Sequence, residues 1–429
     1  MSLRAAAISI TVVAALGVAG CSASQSSQAT KASATNITFS YLWGGNGPES
    51  KALDLVIGDF NKSQSAIHVV GVSSPDFQKQ LTSMSSGNGS FDISDNFGST
   101  VGSWAAKGIL APLDASLAEN KVNLSDFAPS AMNQMSYQGK IYALPIAVHT
   151  QELLYNKDLL SAAGVQPPKT IDEFATAIGK LTKTDAKGKI TQLGLGVADA
   201  PTVMTLLGQD FGGAWDGTDN KTPSPTDANN IKALDWYTQH VTKKYGASNI
   251  AAFRSGLGQY MSAQDPFYLG KEAMVIDGEW QAVNIPKVAP NLHWGVIEIP
   301  AFSPQLARTT QVSTSILFIP SNSKHKKEAA AFLAYMMGDK AMTDFTLALG
   351  NLPSKISLLT NPAYASIPNF DVWLNNLASP NAKSLASTPY SAQYSTDLGT
   401  AFDSVLRGVA TPTEAMKSVA KKATSYNAG

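Results

Sequence analysis

Polar and aromatic residues able to hold a ligand collect in the turns that follow short apolar runs. The first run, Ile37 to Leu42, leads into Trp43-Gly-Gly-Asn-Gly-Pro-Glu49. Glycines there let backbone amides approach a bound molecule, and Asn46 and Glu49 can accept hydrogen bonds from hydroxyls. A plain strand-to-helix turn, with Glu49 favouring the helix N-terminus, accounts for the same residues. Asn96, Phe97 and Ser99 follow a third apolar run in an analogous position, with capping as the alternative role. The chain lacks G-x-S-x-G, H-E-x-x-H, a Walker A loop and cysteine-rich metal spacing. Its histidines, His68, His149, His240, His293 and His325, are scattered, so no metal site and no cofactor are expected. Asp216-Gly-Thr-Asp-Asn-Lys221 has the look of a calcium loop but lacks the regular ligand series and the terminal glutamate, and reads as a hairpin turn.

The elements that must position these residues alternate in type. Ile37 to Leu42 reads as a buried strand before an amphipathic helix from Glu49 to Lys62; Ile67 to Val72 is a strand, Phe77 to Ser85 a helix, Phe91 to Ser94 a strand and Val101 to Lys107 a helix. Such alternation predicts an α/β fold with a mainly parallel sheet, whose ligands sit at the carboxyl ends of strands. The middle repeats the character, with strands at Lys140 to Pro145, Leu153 to Asn156, Gly194 to Val197, Ala273 to Ile276 and His293 to Ile299. Helices are expected over Thr170 to Leu181, opened by a Thr170/Glu173 capping box, and over Ile231 to Lys243. A second lobe follows. A strand over Ser313 to Ile319, a helix over Lys326 to Met337 and a mainly helical tail from Phe370 complete the pattern. A length of 429 residues also exceeds one ordinary core.

The N-terminus carries an address. Arg4 precedes an apolar run, Ala5 to Val18, too short for a comfortable membrane span, and Val18-Ala-Gly-Cys21 resembles the lipobox of bacterial lipoproteins. Residues 1–20 are therefore expected to be a signal peptide, and Cys21, the sole cysteine, a lipidation site that holds the protein to the outer face of the cell membrane. An incidental core cysteine is the alternative. Residues 21–35 have almost no large apolar side chain and should form a flexible tether. With 32 basic and 32 acidic residues there is no net charge and no basic run for nucleic acid, which favours a neutral ligand; the protein is expected to be a monomer.

Several stretches, in order, resemble the extracellular solute-binding proteins of carbohydrate ABC importers. They are Ile37-Thr-Phe-Ser-Tyr-Leu-Trp43, Trp104-Ala-Ala-Lys-Gly-Ile-Leu-Ala-Pro-Leu-Asp114, Tyr137-Gln-Gly-Lys-Ile-Tyr-Ala-Leu-Pro145, Leu154-Tyr-Asn-Lys-Asp-Leu-Leu160 and Phe267-Tyr-Leu-Gly-Lys-Glu-Ala-Met-Val-Ile-Asp-Gly-Glu-Trp280. The resemblance implies a two-lobed periplasmic-binding-protein-like fold with hinge crossings near Ala147 to Leu153, Pro300 to Ala307 and Asn351 to Lys355. The lobes would be 36–146 with 308–350, and 147–307 with 351–429. It implies a substrate-binding lipoprotein that passes a sugar to the permease subunits of an importer and is not an enzyme. A sugar needs aromatic platforms and short polar partners. By analogy Trp280 is the leading platform. His149 stands where maltose-binding protein has a sugar-binding glutamate, a departure that leaves the preferred sugar open, and Gln151 either binds ligand or fixes the hinge. Trp215 resembles a residue bordering the cleft, and Ser313, Thr314, Tyr390 and Tyr394 are further candidates, whereas Trp104, Trp236 and Trp294 are expected in the core. A receptor of the same fold for a peptide, polyamine or anion is the competing reading, although the arginines are few. An extracellular glycosidase also stays open, since two carboxylates brought together by folding leave no motif.

Overall fold

The computed structural model describes residues 34–426 except Asn46, Asn88, Ala198 and Asn220; the expected signal peptide, Cys21 and nearly all of the tether lie outside them. Nine strands build two sheets: β1 (Thr35–Tyr41), β2 (Ile67–Ser73), β3 (Ile93–Phe97), β4 (Ala143–His149), β5 (Gln151–Asn156), β6 (Gly196–Val197), β7 (Met274–Gly278), β8 (Trp294–Ile297) and β9 (Ser313–Phe318). The first sheet has the order β2-β1-β3-β9-β4 and the second β6-β7-β5-β8. Each contains one reversed strand. β9 runs antiparallel to both β3 and β4, and β5 antiparallel to both β7 and β8, while the remaining strands of each sheet share a direction.

Side chains alternate across both sheets with the two-residue period of a strand. In β9, Leu317 joins a core with Phe39, Leu53, Phe60 and Phe332, while Ile316 and Phe318 join Trp104 and Phe91 on the other face. In β5, Leu153 packs with Phe174, Leu207 and Phe402, and Leu154 with Trp294, Tyr364 and Trp373. The helix Pro48–Ser63 shows why local sequence suffices there. Proline sits in its first turn, Glu49 and Lys62 suit its two ends, and Leu53, Val56, Ile57 and Phe60 recur at helical spacing on the buried side.

The chain passes between the sheets three times. β4 and β5 are separated by Thr150 alone; residues 298–312 return the chain from β8 to β9; and residues 350–355 leave the first lobe after the helix Asp339–Leu349. This third passage covers the free edge of β4, where Val148 N donates to Leu352 O (2.9 Å) and Leu352 N to Val148 O (3.2 Å). Pro145, which has no N–H, is accommodated in β4 because the register against β9 shifts between Ser315 and Ile316. On the far side of the passages Thr310–Gln311 pairs with Ala382–Lys383, and Ser387 Oγ accepts from Gly102 N at 2.6 Å.

Two local expectations need correction. Thr170 Oγ1 does accept from Glu173 N (3.2 Å), but the Glu173 carboxylate accepts from Lys169 N (2.7 Å), so the box at Thr170 is not reciprocal. A reciprocal box forms at Thr411 and Glu414 instead. The stretch 216–221 is no hairpin between paired strands but a turn folded about Asp219, whose Oδ1 accepts from Lys221 N and Thr222 N, each at 2.9 Å.

Among the described residues of the second lobe, Glu152 and Asp210 carry carboxyl groups wholly shielded from solvent. Burial raises both well above the carboxylate range, and for Asp210 the neighbouring Glu152 and Glu298 add to the effect. The folded state therefore favours the protonated forms. That preference costs nothing below the unfolded values of about 4 and destabilises the fold increasingly as pH rises from there towards the raised folded values. Glu152→Gln is expected to raise the melting temperature at pH 8 and change it little at pH 4, measured by thermal scans across that range; equal shifts at both would show that Glu152 does not titrate with folding.

Candidate functional site

The carboxyl ends of β1 and β3, the end of β4 and the start of β9 meet the end of β7 around a cavity of about 460 Å³. Its walls come from both lobes: Trp43, Glu49, Phe97, His149 and Ser313 from the first, Gln151, Tyr260, Trp280 and Asn284 from the second. A larger groove of about 860 Å³, lined by Pro167, Ile299, Phe302 and Val372, draws only on the second lobe and its passages and brings none of the candidate residues together. A further pocket of about 540 Å³ also lies between the lobes, lined by Ser130 from the first and Trp215, Asp216 and Lys383 from the second; the 460 Å³ cavity gathers more of the candidate residues and is the candidate site.

Its floor is built around His149. The Nδ1 atom lies 2.7 Å from Glu279 Oε1 and Nε2 lies 2.9 Å from Ser315 Oγ. A carboxylate only accepts, so Nδ1 carries a proton towards Glu279, and Nε2 shares a hydrogen bond with the Ser315 hydroxyl. Glu279 is fully buried, and its second oxygen accepts from Thr150 N at 3.2 Å. Both ring nitrogens are thus used inside the protein, and His149 offers the cavity its ring rather than a free donor. Gln151 also lines the cavity, while its backbone N and O are bridged by Thr310 Oγ1 at 3.3 and 3.2 Å. It therefore faces the cavity while its backbone ties two passages together.

Trp280 stands at the start of the helix Gln281–Val288, half-buried, its ring edge-on to His149 with centroids 5.8 Å apart. Gly278 makes this possible. A Cβ at that position would lie 2.3 Å from the indole, so any side chain would push the ring away. The indole Nε1 donates to Tyr260 OH (2.7 Å), Tyr260 OH donates to Asp277 Oδ1 (2.7 Å), and Asp277 Oδ2 accepts from Gln281 Nε2 (2.6 Å). Burial pushes Asp277 up to about 7, against the lowering effect of these hydrogen bonds. Opposite, Trp43 packs against Phe345 at 5.8 Å, and Phe97 is an aromatic ring left 57 % exposed at the end of β3. The Trp43 turn is held from beneath by Ser50 Oγ, which donates to Gly44 O (2.9 Å) and Gly47 O (3.0 Å). Asn46 of that turn lies outside the described residues.

The other candidates are elsewhere. Asn96 is buried and donates to Gln80 Oε1 (2.8 Å); Ser99 is exposed on a single 3₁₀ turn away from the cavity lining. Thr314 points to the face of β9 opposite Ser313 and Ser315, donating to Gln134 Oε1 at 3.1 Å. Trp215 lies in the second core, its Nε1 donating to Thr205 O (2.8 Å), and Tyr394 OH donates to Trp215 O (2.7 Å). Tyr390 stacks on Tyr426 with centroids 5.5 Å apart. Trp104 and Trp294 are buried as expected, and Trp236 partly so. Sequence reasoning missed Val283, Asn284 and Lys287, three, four and seven residues after Trp280 and therefore on its helical face, a signal open to view. It also missed Tyr260, which sits in an irregular Gly- and Ser-containing loop without periodicity. Among the described residues no group of three or more His, Cys, Asp or Glu side chains is placed to hold a metal ion.

Comparison with known proteins adds a family context. The family model for bacterial extracellular solute-binding proteins matches residues 44–343. The mannitol-binding protein of Pseudomonas aeruginosa is 26% identical over 330 residues, 73% of this chain and 72% of the relative. The arabinooligosaccharide-binding protein of Bacillus subtilis is 26% identical over 335 residues, 76% of this chain and 74% of the relative. The solved structure of CpMnBP1 with mannotriose bound is similar at a TM-score of 0.75 and 28% identity, covering 91% of this chain and all of that one.

His149→Ala would leave the buried Glu279 with one oxygen unpaired. It is expected to lower unfolding free energy by about 2 kcal/mol, read as a lower urea midpoint; an unchanged midpoint would show that the pair adds nothing to the fold.

Proposed function

The chain belongs to the bacterial extracellular solute-binding proteins, and we propose that it is the receptor of an ABC importer, taking a sugar or short oligosaccharide between its lobes and presenting it to the permease subunits. The observation that carries this reading is the pairing of aromatic rings and neutral hydrogen-bonding groups across one interlobe cavity, Trp43, Phe97 and Ser313 from one side and Trp280 and Gln151 from the other. Rings cover the apolar C–H faces of a pyranose, and amides and hydroxyls both donate to and accept from its hydroxyls. Relatives named for mannitol and arabino-oligosaccharides, and a similar structure holding mannotriose, support the same class of ligand. In this reading Trp280, Trp43, Glu49, Phe97, Gln151 and Ser313 face the ligand. His149 forms the floor, and Asn96, Ser99, Trp215, Thr314, Tyr390 and Tyr394 lie off this cavity.

The lobes divide as 36–149 with 308–350 and 151–307 with 351–429, with Thr150 at the first crossing because Ala147 to His149 pair with β9 of the first sheet. Ligand is released unchanged, the receptor acts as a monomer, and lipid on Cys21 keeps it at the outer face of the membrane. Closure is favoured only by the difference in ligand affinity between open and closed forms, so both walls must contribute.

The test is calorimetry and thermal shift on protein begun after residue 21, against mannotriose, maltotriose, arabino-oligosaccharides and mannitol, with spermidine, peptides and anions alongside. A saccharide that raises the melting temperature and is recovered intact supports the receptor. Binding of spermidine, a peptide or an anion alone would reassign the ligand class, and recovery of shortened sugar would make the protein a hydrolase. Trp280→Ala is expected to weaken the bound saccharide about tenfold through loss of an aromatic platform worth roughly 1 kcal/mol or more, with the melting temperature little changed; unaltered affinity would remove Trp280 from the ligand.

A further inference from the structure

The polar network behind Trp280 runs through residues that make no use of a ligand. Tyr260 is 47 % exposed along its ring, yet its hydroxyl lies between the indole Nε1 and Asp277 Oδ1, 2.7 Å from each. Asp277 is buried at the end of β7, and its carboxylate is filled by Tyr260, Gln281 Nε2 and Gly278 N (2.8 Å). Three of the groups involved, Asp277, Gly278 and Gln281, come from the same strand end and helix start that carry Trp280 itself. The fourth, Tyr260, arrives from a loop, and that loop is strained. Met261, next to Tyr260, adopts a φ of 59°, a left-handed conformation rarely taken by a non-glycine residue. It is held there from two sides: Asp265 Oδ2 accepts from Met261 N at 2.7 Å, and Asn284 Nδ2 donates to Met261 O at 3.3 Å. Asn284 lies one helical turn beyond Trp280, so the strained turn is tied to the helix whose first residue it serves. Strain that persists under such ties marks a place where geometry is held for a purpose.

We propose that Tyr260 and Asp277 are positioning residues that set the plane of the Trp280 indole in the interlobe cavity, with the Met261 turn serving to deliver the Tyr260 hydroxyl. Gly278 leaves the space into which the ring folds, and the hydroxyl chooses its rotation about the side-chain bonds. Without the hydroxyl the indole N–H would have to turn towards the cavity to find an acceptor, and the ring face would turn with it. The proposal rests on the reading of Trp280 as a platform for saccharide, but the orientation of the ring is a property of the protein alone and can be measured without any ligand.

Indole resonances of ¹⁵N-labelled protein provide that measurement, with the Trp280 signal assigned by its loss in Trp280→Phe. In Tyr260→Phe the Trp280 signal is expected to shift and its hydrogen exchange to accelerate about tenfold or more, while the other indole signals stay in place and report an intact fold. Asp277→Asn, which keeps an acceptor for Tyr260 but not for Gln281, is expected to move the same signal by less. With mannotriose as the probe, Tyr260→Phe should weaken binding about fivefold, the loss of one hydrogen bond's ordering effect. The double variant Tyr260→Phe/Trp280→Phe should bind no more weakly than Trp280→Phe alone, because the two changes break one linkage. A Trp280 signal unmoved in Tyr260→Phe, or penalties that add in the double variant, would overturn the proposal. Failure of the wild-type protein to bind mannotriose or any other saccharide would instead refute the sugar reading, and the indole signal would still decide the positioning.

Discussion

A carboxylate with no access to water lies between the two lobes, and the site is assembled around it. Glu279 follows the last residue of β7, and its oxygens are taken by the His149 ring and by the amide of Thr150, the residue at which the chain leaves one sheet for the other. An ion or a strong dipole buried in this way is stabilising only when every lone pair is met with good geometry. The requirement fixes the end of β4, the first passage and the turn before Trp280 relative to one another. Ser315 completes the arrangement from the neighbouring strand. With these four elements held together, the adjoining positions, Gln151, Ser313 and Trp280, have little choice but to face one cavity.

The two walls are made differently. In the first lobe the cavity is bounded by loops at the carboxyl ends of β1 and β3, as expected of mainly parallel sheets, and its rings are backed by apolar core: Trp43 rests on Phe345 and Tyr41. In the second lobe the aromatic groups are backed by a polar lattice in which Asp277, Gln281, Tyr268 and Asn284 are successively hydrogen-bonded. An apolar backing tolerates small rotations of a ring, whereas a hydrogen-bonded one selects a single orientation. The division suits a receptor that must first admit a ligand and then hold it in one pose.

Much of the fold could be read from residue order because local signals agreed with tertiary need. Phe77 to Ser85 is a helix over the expected residues, and Ile67, Ser313 and Lys326 begin their elements where expected. The reversal of β9 and β5 was not legible, since strand direction depends on where the chain has come from and leaves no mark in alternation. The site was half legible. Phe97 and Gln151 could be placed because they adjoin strand ends, but the large rings of Tyr390 and Tyr394 fill the second core, and Trp215 packs there while bordering a second interlobe pocket. An aromatic side chain has the same composition in either place, and only burial separates the two. Asn96 and Thr314 failed for a simpler reason: each is one residue out of phase with a cavity-facing neighbour, Phe97 and Ser313, on a strand that turns alternate residues to opposite faces.

The place of β9 in the first sheet also has a consequence in time. This strand, Ser313–Phe318, lies between β3 and β4, and its partners end about 160 or more residues earlier in the chain. A ribosome that has released the whole of β1 to β4 has therefore produced a sheet with its inner strand missing, and most of the second lobe must follow before the gap can close. Contacts so distant in sequence form slowly. For an exported protein such a delay favours a threadable chain, since the first sheet can become whole only when nearly three-quarters of the sequence has emerged.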